Sequence, residues 1–489
     1  MRVGDKEVDY LQSALCYLLT VDYRTLIIIF QLLILLYIMC KNMKKMFLLL
    51  AVIAAMVACT NKKECTHKHP CFAYDASIYE LNTRQFTPEG TFAAAEAELP
   101  RLAELGYDII WIMPIQPIGE LERKGGLGSY YAIKDYCAFN PEFGTREDFA
   151  SFLAKAHELG IKVILDWVAN HTAPDHAWTL NEGWHMRDSL GNLVVNYDWY
   201  DIAELNYDNQ DMRDAMFRSL EWWMDTIGVD GFRCDVAHEI PTDFWEYAFD
   251  SLRVKHPAMF TLCESENLDL TQKAFDMYYG WEFHHLMNAV AKQEKGIDDL
   301  WAYFAKADTV YPASAIRMNF TSNHDENSWA GTEFERMGQK AAKAMAMFTY
   351  IAPGMPLTYT GQEFGNVRRL RFFDKDTLEY DPTNTFEDFY KMANTMRADN
   401  PALYSNELGG KLERIEMPEG IEKIFACRRV VEGNEVYAFF NFSNESRVVA
   451  LDKILPEAEP KSVIALNDVS DSTLDRLKIK EWSCVIYCY

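Results

Sequence analysis

Residues 231 to 240 have the sequence GFRCDVAHEI, which places an arginine and an aspartate two positions apart in an otherwise apolar run. Because side chains along a strand alternate between its two faces, Arg233 and Asp235 lie on the same face. A charged pair inside a protein loses a large free energy of hydration unless it is partnered. For these two residues alone, a structural ion pair is as good an explanation as a reactive site, so the rest of the chain has to decide.

Short apolar runs alternate with amphipathic segments along most of the chain, a pattern typical of repeated βα units and a parallel sheet. Several of the amphipathic segments end at a glycine that can take a left-handed cap. Eight strand candidates predict a closed (β/α)8 barrel, that is, a TIM barrel of the α/β class. They are residues 76–81, 108–113, 162–168, 231–236, 259–264, 277–283, 316–321 and 355–360, of which 277–283 has the weakest pattern.

We predict that the barrel covers residues 72–402 and that its third unit carries an insertion at the barrel mouth, residues 172–208. Alternating runs such as 423–430 and 435–442 then indicate half-buried strands with turn residues between them. The sequence therefore predicts a C-terminal antiparallel β-sandwich domain over residues 403–489. This domain offers no catalytic cluster, so packing against the barrel is favoured over a binding role.

The N-terminal region has a targeting pattern. Lys44 and Lys45 precede the apolar run 46–56, and small residues then lead to Cys59. A charged region, an apolar region and a processing site in this order are typical of a signal peptide, which we predict over residues 43–59.

The stretch MVAC at 56–59 resembles the bacterial lipoprotein box. The resemblance implies that Cys59 is lipidated and that the protein is exported and anchored to a bacterial membrane, with residues 60–71 as a tether. We expect residues 1–42 to be a non-native extension. The alternative is a genuine membrane helix, although the apolar stretch 26–39 is short for a membrane span.

Eight of the eleven cysteines follow Cys59, in a context that permits disulfides. Cys65 and Cys71 can pair across a short loop. Cys234 and Cys263 lie in apolar runs and are interpreted as buried, inert thiols.

The chain is strongly acidic, with 48 Lys and Arg against 73 Asp and Glu and a formal net charge of −25. Such a charge repels a phosphate backbone and removes the main source of its affinity. We therefore exclude nucleic acid as a partner. The sequence does not predict an oligomeric state.

Ionisable residues follow several of the predicted strands. The carboxyl ends of barrel strands meet at one rim, where the reactive groups of TIM barrels lie. Three carboxylates with an arginine and two histidines suit glycosidic cleavage, in which one carboxylate attacks and another protonates the leaving oxygen. The residues brought to this rim are Asp166, His171, Arg233, Asp235, Glu264, His324 and Asp325.

With these residues in place, the sequence resembles the alpha-amylase family, glycoside hydrolase family 13. The motifs DWVANHT, GFRCDVAHE, LCESEN and FTSNHD occur in the family's order between about residues 76 and 400. Flanking matches are GSYYAIKDYCAFNPEFGT, AELN and GMPLTYTGQE.

The resemblance implies a role for each acid. Asp235 is the expected nucleophile, Glu264 the general acid/base and Asp325 the third carboxylate, which grips sugar hydroxyls. Arg233 is expected to keep the nucleophile ionised, since a nearby cation lowers the pKa of a carboxyl. Glu264 needs a raised pKa to donate a proton near neutral pH.

The resemblance also implies the groups that hold the sugar. His171 and His324 are expected to hydrogen-bond the sugar at the cleavage site, and Tyr131 to be its stacking platform. Asn170 matches a frequent calcium-ligand position, but Ca²⁺ takes about 6 to 8 oxygen ligands and a loop-bracing amide explains Asn170 at least as well. No cofactor is required by the expected chemistry.

The sequence thus predicts a retaining glycoside hydrolase that cleaves mainly α-1,4-glucosidic bonds in starch or maltooligosaccharides through a covalent intermediate. An α-glucosidase or an α-glucan transglycosylase would use the same residues. A non-catalytic sugar-binding barrel is the alternative from another class, and the presence of every expected carboxylate argues against it.

Overall fold

The structure is a computed structural model of the 489-residue chain, and it describes residues 67–378, 386–417, 423–467, 469–470 and 476–489. The predicted signal peptide, Cys59 and most of the predicted tether lie outside the described residues. Among the helices of the described part, none has the length and apolar character needed to cross a membrane.

Eight parallel strands close into a barrel, as predicted. Each of them falls within one of the eight candidate segments, including the sixth, where the strand ends at Tyr279 and a helix begins at Trp281. The strands, in their order around the barrel, are β1 (Ile78–Leu81), β2 (Ile109–Ile112), β3 (Lys162–Trp167), β6 (Gly231–Cys234), β7 (Phe260–Cys263), β8 (Met277–Tyr279), β9 (Ile316–Phe320) and β10 (Met355–Tyr359).

Helices alternate with the strands. Local signals explain their ends: the Thr145 side chain accepts a hydrogen bond from the Asp148 amide at the start of one helix, and Gly160 closes it with φ 83°. The helices are α1 (Thr83–Phe86), α2 (Phe92–Glu104), α3 (Arg146–Glu158), α4 (Gln210–Trp222), α5 (Thr242–Lys255), α6 (Leu268–Gln272), α7 (Trp281–Ala291), α8 (Ile297–Val310), α9 (Glu333–Met337), α10 (Gln339–Ile351) and α11 (Phe386–Asp399).

The two faces of the barrel strands pack differently. Phe232 and Cys234 of β6 point outward into the large cluster formed with the helices, and Ile164 and Leu262 belong to the cluster inside the barrel. Arg233 therefore faces the interior, beside Leu262 in the sheet register, and is fully buried. The structure thus confirms the alternation of side chains predicted for the strand within residues 231 to 240.

The insertion and the C-terminal region are built from antiparallel strands. In the insertion, β4 (His171–Thr172) pairs with β5 (Ala203–Glu204). In the C-terminal region a five-stranded sheet and a three-stranded sheet enclose a shared apolar cluster, which confirms the predicted β-sandwich. The first sheet has the order β11 (Glu413–Arg414), β12 (Ile424–Val431), β13 (Asn434–Asn441), β18 (Ser483–Cys488), β15 (Ser462–Leu466), and the second β14 (Arg447–Val449), β17 (Leu477–Ile479), β16 (Val469–Ser470).

The last residues of the predicted tether pack on the amino-terminal side of the barrel. His69 is buried, with Nδ1 2.7 Å from Oδ1 of Asp276, the residue before β8. Cys71 is disulfide-bonded, and the other described cysteines are free thiols. Among these are Cys234 and Cys263, which are buried thiols as expected.

Candidate active site

A cavity of about 730 Å³ opens at the carboxyl ends of the barrel strands. Its volume falls within the range of small-molecule sites, about 300–1,000 Å³. The predicted Tyr131, His171, Asp235, Glu264, His324 and Asp325 all line it.

Arg233 connects the acids at the floor of this pocket. Its Nη1 donates to Oδ1 of Asp166 at 2.9 Å and to Oδ1 of Asp235 at 3.0 Å. Its Nη2 lies 2.9 Å from Oε2 of Glu264. Its Nε and Nη2 also donate to the Tyr279 hydroxyl, at 3.2 and 3.0 Å. The buried arginine is thus fully partnered, and three carboxyl groups share its positive charge.

The two acids of the expected mechanism are close together. They contact two nitrogens of the same guanidinium: Oδ1 of Asp235 lies 3.0 Å from Nη1 of Arg233, and Oε2 of Glu264 lies 2.9 Å from Nη2. An inverting enzyme separates its carboxyls by about 6.5–9.5 Å to admit a water molecule, whereas a retaining one holds them at about 5–5.5 Å. Contact of both acids with one guanidinium favours the closer spacing, that of a retaining enzyme.

The backbone after β6 contributes to the same contact. Val236 adopts a left-handed conformation with φ 35°, which strains a β-branched residue and is typical of functional sites. In this conformation its N–H donates to Oε2 of Glu264 at 2.9 Å.

The environment shifts the pKa values of both acids. Burial and the negative charge of Glu264 raise the pKa of Asp235 well above its usual range, despite Arg233. Burial also raises the pKa of Glu264, but Arg233 and the Val236 N–H outweigh it, and the pKa ends below its usual range. Arg233 lowers the pKa of both acids because its charge is shared between them, and the two directions are the reverse of those expected.

The expected sugar-binding residues contact one another. The Tyr131 hydroxyl donates to Oδ2 of Asp166 at 2.9 Å and lies 2.8 Å from Nε2 of His324. The same Nε2 lies 3.3 Å from Oδ2 of Asp325. His171 is buried at the pocket wall, with its ring 5.9 Å from that of Trp199. Burial and the charge of Glu264 raise the pKa of Asp325 to about 7.

Sequence reasoning missed several supporting residues. Glu80 of β1 is fully buried, and its Oε1 lies 2.6 Å from Nδ1 of His324. Trp111 of β2 donates from Nε1 to Oδ2 of Asp166 at 3.1 Å. The sequence places Asp166 at the rim but assigns it no role. An acid at an inward-facing position of an otherwise apolar strand is the signal that would have identified Glu80.

Asn170 is braced by its neighbours. Its carbonyl accepts from the Leu205 amide at 3.0 Å, and its Nδ2 lies 3.4 Å from Nδ1 of His171. Within the described residues, no group of three or more His, Cys, Asp or Glu side chains is placed to hold a metal ion. The loop-bracing interpretation fits these contacts, and a calcium ion at Asn170 stays a prediction.

Aromatic residues of the insertion divide into two groups. Trp199 and Tyr200 line the pocket, and Tyr200 is 53% exposed. Trp184 instead packs edge-on against Trp178, with ring centroids 5.2 Å apart. Aromatic side chains that the sequence did not single out, Trp329, Phe372 and Phe373, also line the pocket.

A closed (β/α)8 barrel with an arginine-bound acid pair at its carboxyl rim has the architecture of a retaining glycosidase. The alpha-amylase catalytic-domain model matches residues 72–183 and 179–407. The chain belongs to the alpha-amylase family.

Known proteins similar to the chain carry related names. Alpha-amylase MalA of Haloarcula japonica is 30% identical over 400 residues, covering 78% of this chain and 57% of MalA. An alpha-1,4-glucan:maltose-1-phosphate maltosyltransferase of Corynebacterium glutamicum is 34% identical over 198 residues, covering 36% of this chain and 29% of the transferase. The crystal structure of an alpha-amylase from Lactobacillus plantarum superposes with a TM-score of 0.73 at 29% identity, covering 85% of this chain and 99% of that one. The chain thus spans little more than half of MalA and less than a third of the transferase.

Proposed function

We propose that this protein is a retaining glycoside hydrolase that cleaves mainly α-1,4-glucosidic bonds in starch or maltooligosaccharides. The observation that carries the proposal is the contact of one buried guanidinium, that of Arg233, with both Asp235 and Glu264 at the floor of the pocket. The names of the similar proteins support an α-1,4-glucan as the substrate.

The chemistry takes two steps. In the first, the Asp235 carboxylate attacks the anomeric carbon while Glu264 gives its proton to the glycosidic oxygen, so that the C–O bond breaks and a glycosyl ester forms on Asp235. In the second, Glu264 takes a proton from a water molecule, whose oxygen attacks the same carbon and releases Asp235. Two inversions at that carbon retain its configuration.

The proton has to be on Glu264 when the bond breaks. In the structure the raised pKa of Asp235 and the lowered pKa of Glu264 favour the proton on Asp235. When the bridging oxygen of a glucan lies at Glu264, the contact between Glu264 and Arg233 would weaken. The pKa of Glu264 would then rise. Because the two carboxyls titrate as a pair, the same change would favour loss of the proton from Asp235.

The remaining rim residues position the sugar. His171, His324 and Asp325 offer donors and an acceptor to hydroxyl groups at the pocket floor, and Tyr131 presents a ring to the sugar face. The hydrogen bonds of Tyr131 and His324 fix both side chains before a sugar binds. This preorganisation favours catalysis, since little reordering is needed during the reaction.

Transfer to a second glucan is the main alternative, and the maltosyltransferase among the similar proteins favours testing it. Water and a sugar hydroxyl compete for the same glycosyl ester. Incubation with maltoheptaose, followed by chromatography of the products, separates the two outcomes: only shorter chains indicate hydrolysis, and chains longer than the substrate indicate transfer. An α-glucosidase would release glucose as the first product.

The alternative that the barrel binds sugar without cleaving it is tested with Asp235→Asn. We expect this variant to lose hydrolysis while keeping the fold and the binding of maltoheptaose, measured by circular dichroism and calorimetry. Asp243→Asn is the matched control, because Asp243 is an exposed partner of Arg213 on the outer surface. Unchanged hydrolysis in Asp235→Asn would reject the nucleophile assignment.

We also propose that the protein is exported and anchored to a bacterial membrane by lipid on Cys59. The proposal is supported by the sequence pattern MVAC at 56–59. Mass spectrometry of the mature protein would show a lipidated N-terminal Cys59, and Cys59→Ser would release the protein from the membrane fraction. An intact residue 1 in the mature protein would contradict the proposal.

A calcium ion near Asn170 is tested by thermal unfolding with added Ca²⁺ and with a chelator. Binding there would raise the melting temperature of the wild type in Ca²⁺, and Asn170→Ala would abolish the increase. An equal increase in both proteins would place the ion elsewhere.

A further inference from the structure

A loop between β2 and α3 crosses one end of the pocket. Its two stems pair through the bridge between Ile118 and Ile133 and through the bond from the Lys134 amide to the Pro117 carbonyl, 2.8 Å. The tip between these stems, residues 119–129, is here called the end loop. Lys124 and Ser129 of the end loop line the pocket.

On one side, the end loop is bonded to the insertion. Nζ of Lys124 lies 3.0 Å from Oδ1 of Asp201, donates to the Asp198 carbonyl at 3.1 Å and lies 4.6 Å from the centroid of the Tyr200 ring. Asp201 is 3% exposed, and the Lys124 side chain is mostly buried. Salt screens an ion pair with little access to water much less than an exposed one.

On the other side, the end loop is bonded to the segment after β10. The Gly126 amide donates to Oδ1 of Asp374 at 3.0 Å, and the Leu127 amide donates to the Phe373 carbonyl at 2.8 Å. Beneath this contact, the buried Arg84 donates from Nη1 to the carbonyls of Gly128, at 3.0 Å, and Phe372, at 3.1 Å. The end loop therefore spans the pocket from the insertion to the far wall.

The closed end is the one that holds the attacked sugar. Ser129 of the end loop is two residues from Tyr131, the proposed platform of that sugar, and the Tyr131 ring is stacked 6.3 Å from the Phe372 ring. Val236 follows β6 and Glu264 follows β7, on the side where the leaving part of the glucan would depart. Among the described residues, no hydrogen bond joins either of them to the end loop.

We infer that the end loop limits how far a glucan extends beyond the attacked sugar, so that the enzyme acts near non-reducing chain ends and releases short sugars. This inference rests on the proposed function and deepens it, since it selects action at chain ends over action within chains. The ion pair between Lys124 and Asp201 holds the end loop against the insertion and so determines this preference for chain ends.

Two maltoheptaose derivatives test this directly. One has its non-reducing end capped with a 4,6-ketal, and the other is uncapped, while both carry 4-nitrophenol at the reducing end. We expect the wild type to cleave the capped substrate at least about tenfold more slowly than the uncapped one. Lys124→Ala should increase the capped-to-uncapped rate ratio several-fold, and so should Asp201→Asn, which keeps the shape of the side chain.

Lys134→Ala is the control, because Lys134 joins Glu120 of the end loop to Asp175 of the insertion but does not line the pocket. Its rate ratio should remain that of the wild type. Equal cleavage of capped and uncapped substrate by the wild type would overturn the inference while leaving the proposed function intact. Cleavage of neither substrate would overturn both.

Discussion

Nη2 of Arg233 lies 2.9 Å from Oε2 of Glu264, in a position where the arginine side chain has no exposure to solvent. The same guanidinium binds Asp166 and Asp235 through Nη1. One cation thus stabilises three acids inside the barrel, and the protonation of each acid depends on how that cation is shared.

Replacing Arg233 by methionine should lower the free energy of unfolding by about 3–5 kcal/mol, because it leaves buried carboxylates without their partner. The loss should be larger at pH 8 than at pH 5, where protonation relieves part of the repulsion. Urea unfolding followed by tryptophan fluorescence measures both. Arg213→Met is the control: Arg213 pairs with the exposed Asp243, and its loss should cost no more than about 1 kcal/mol.

Replacing Glu264 by glutamine should lower kcat by a factor of about 10²–10⁴ on maltoheptaose, because the leaving oxygen is no longer protonated. On 4-nitrophenyl maltoside the first step should suffer much less, since nitrophenolate leaves without a proton. Burst kinetics of nitrophenol release measure that step. Equal losses in the first step for both substrates would contradict the assignment of Glu264 as the acid.

The same variant should move the acid limb of the pH profile. Asp235 has to be ionised to attack, and after burial the charge of Glu264 is the largest cause of its raised pKa. In the wild type, kcat/KM should therefore fall on acidification at a pH above about 3.9, the ordinary aspartate value. Removing that charge lowers the pKa of Asp235, so Glu264→Gln should shift the limb to lower pH. The measurement uses 4-nitrophenyl maltoside, and a limb that stays in place would count against the coupling.

Much of the fold could be predicted because its signals are local. The eight strands follow from short apolar runs and turn residues, and the inward direction of Arg233 follows from a period of two within four residues of β6. The rim acids follow from strand ends in the same way, since every parallel strand of a barrel ends at the same rim.

The contacts that tune the site could not be predicted, because they join distant parts of the chain. Glu80 and His324 are 244 positions apart, and only the closed barrel brings β1 beside the loop after β9. The contact of Arg233 with both Asp235 and Glu264 likewise depends on distances of a few ångströms between the ends of two strands. The sequence places an arginine beside the nucleophile, but it does not reveal that Glu264 competes for the same charge.

In the proposed mechanism, Asp235 forms a covalent bond to the sugar. Glu264→Gln incubated with α-maltosyl fluoride tests it most directly, because fluoride leaves without a proton and the variant lacks the base that activates water for the second step. Peptide mass spectrometry should find a maltosyl ester on the peptide that contains Asp235, and Asp235→Asn/Glu264→Gln should show none. A protein that releases fluoride without any sugar on that peptide, and yields β-maltose as its first product, would contradict the account.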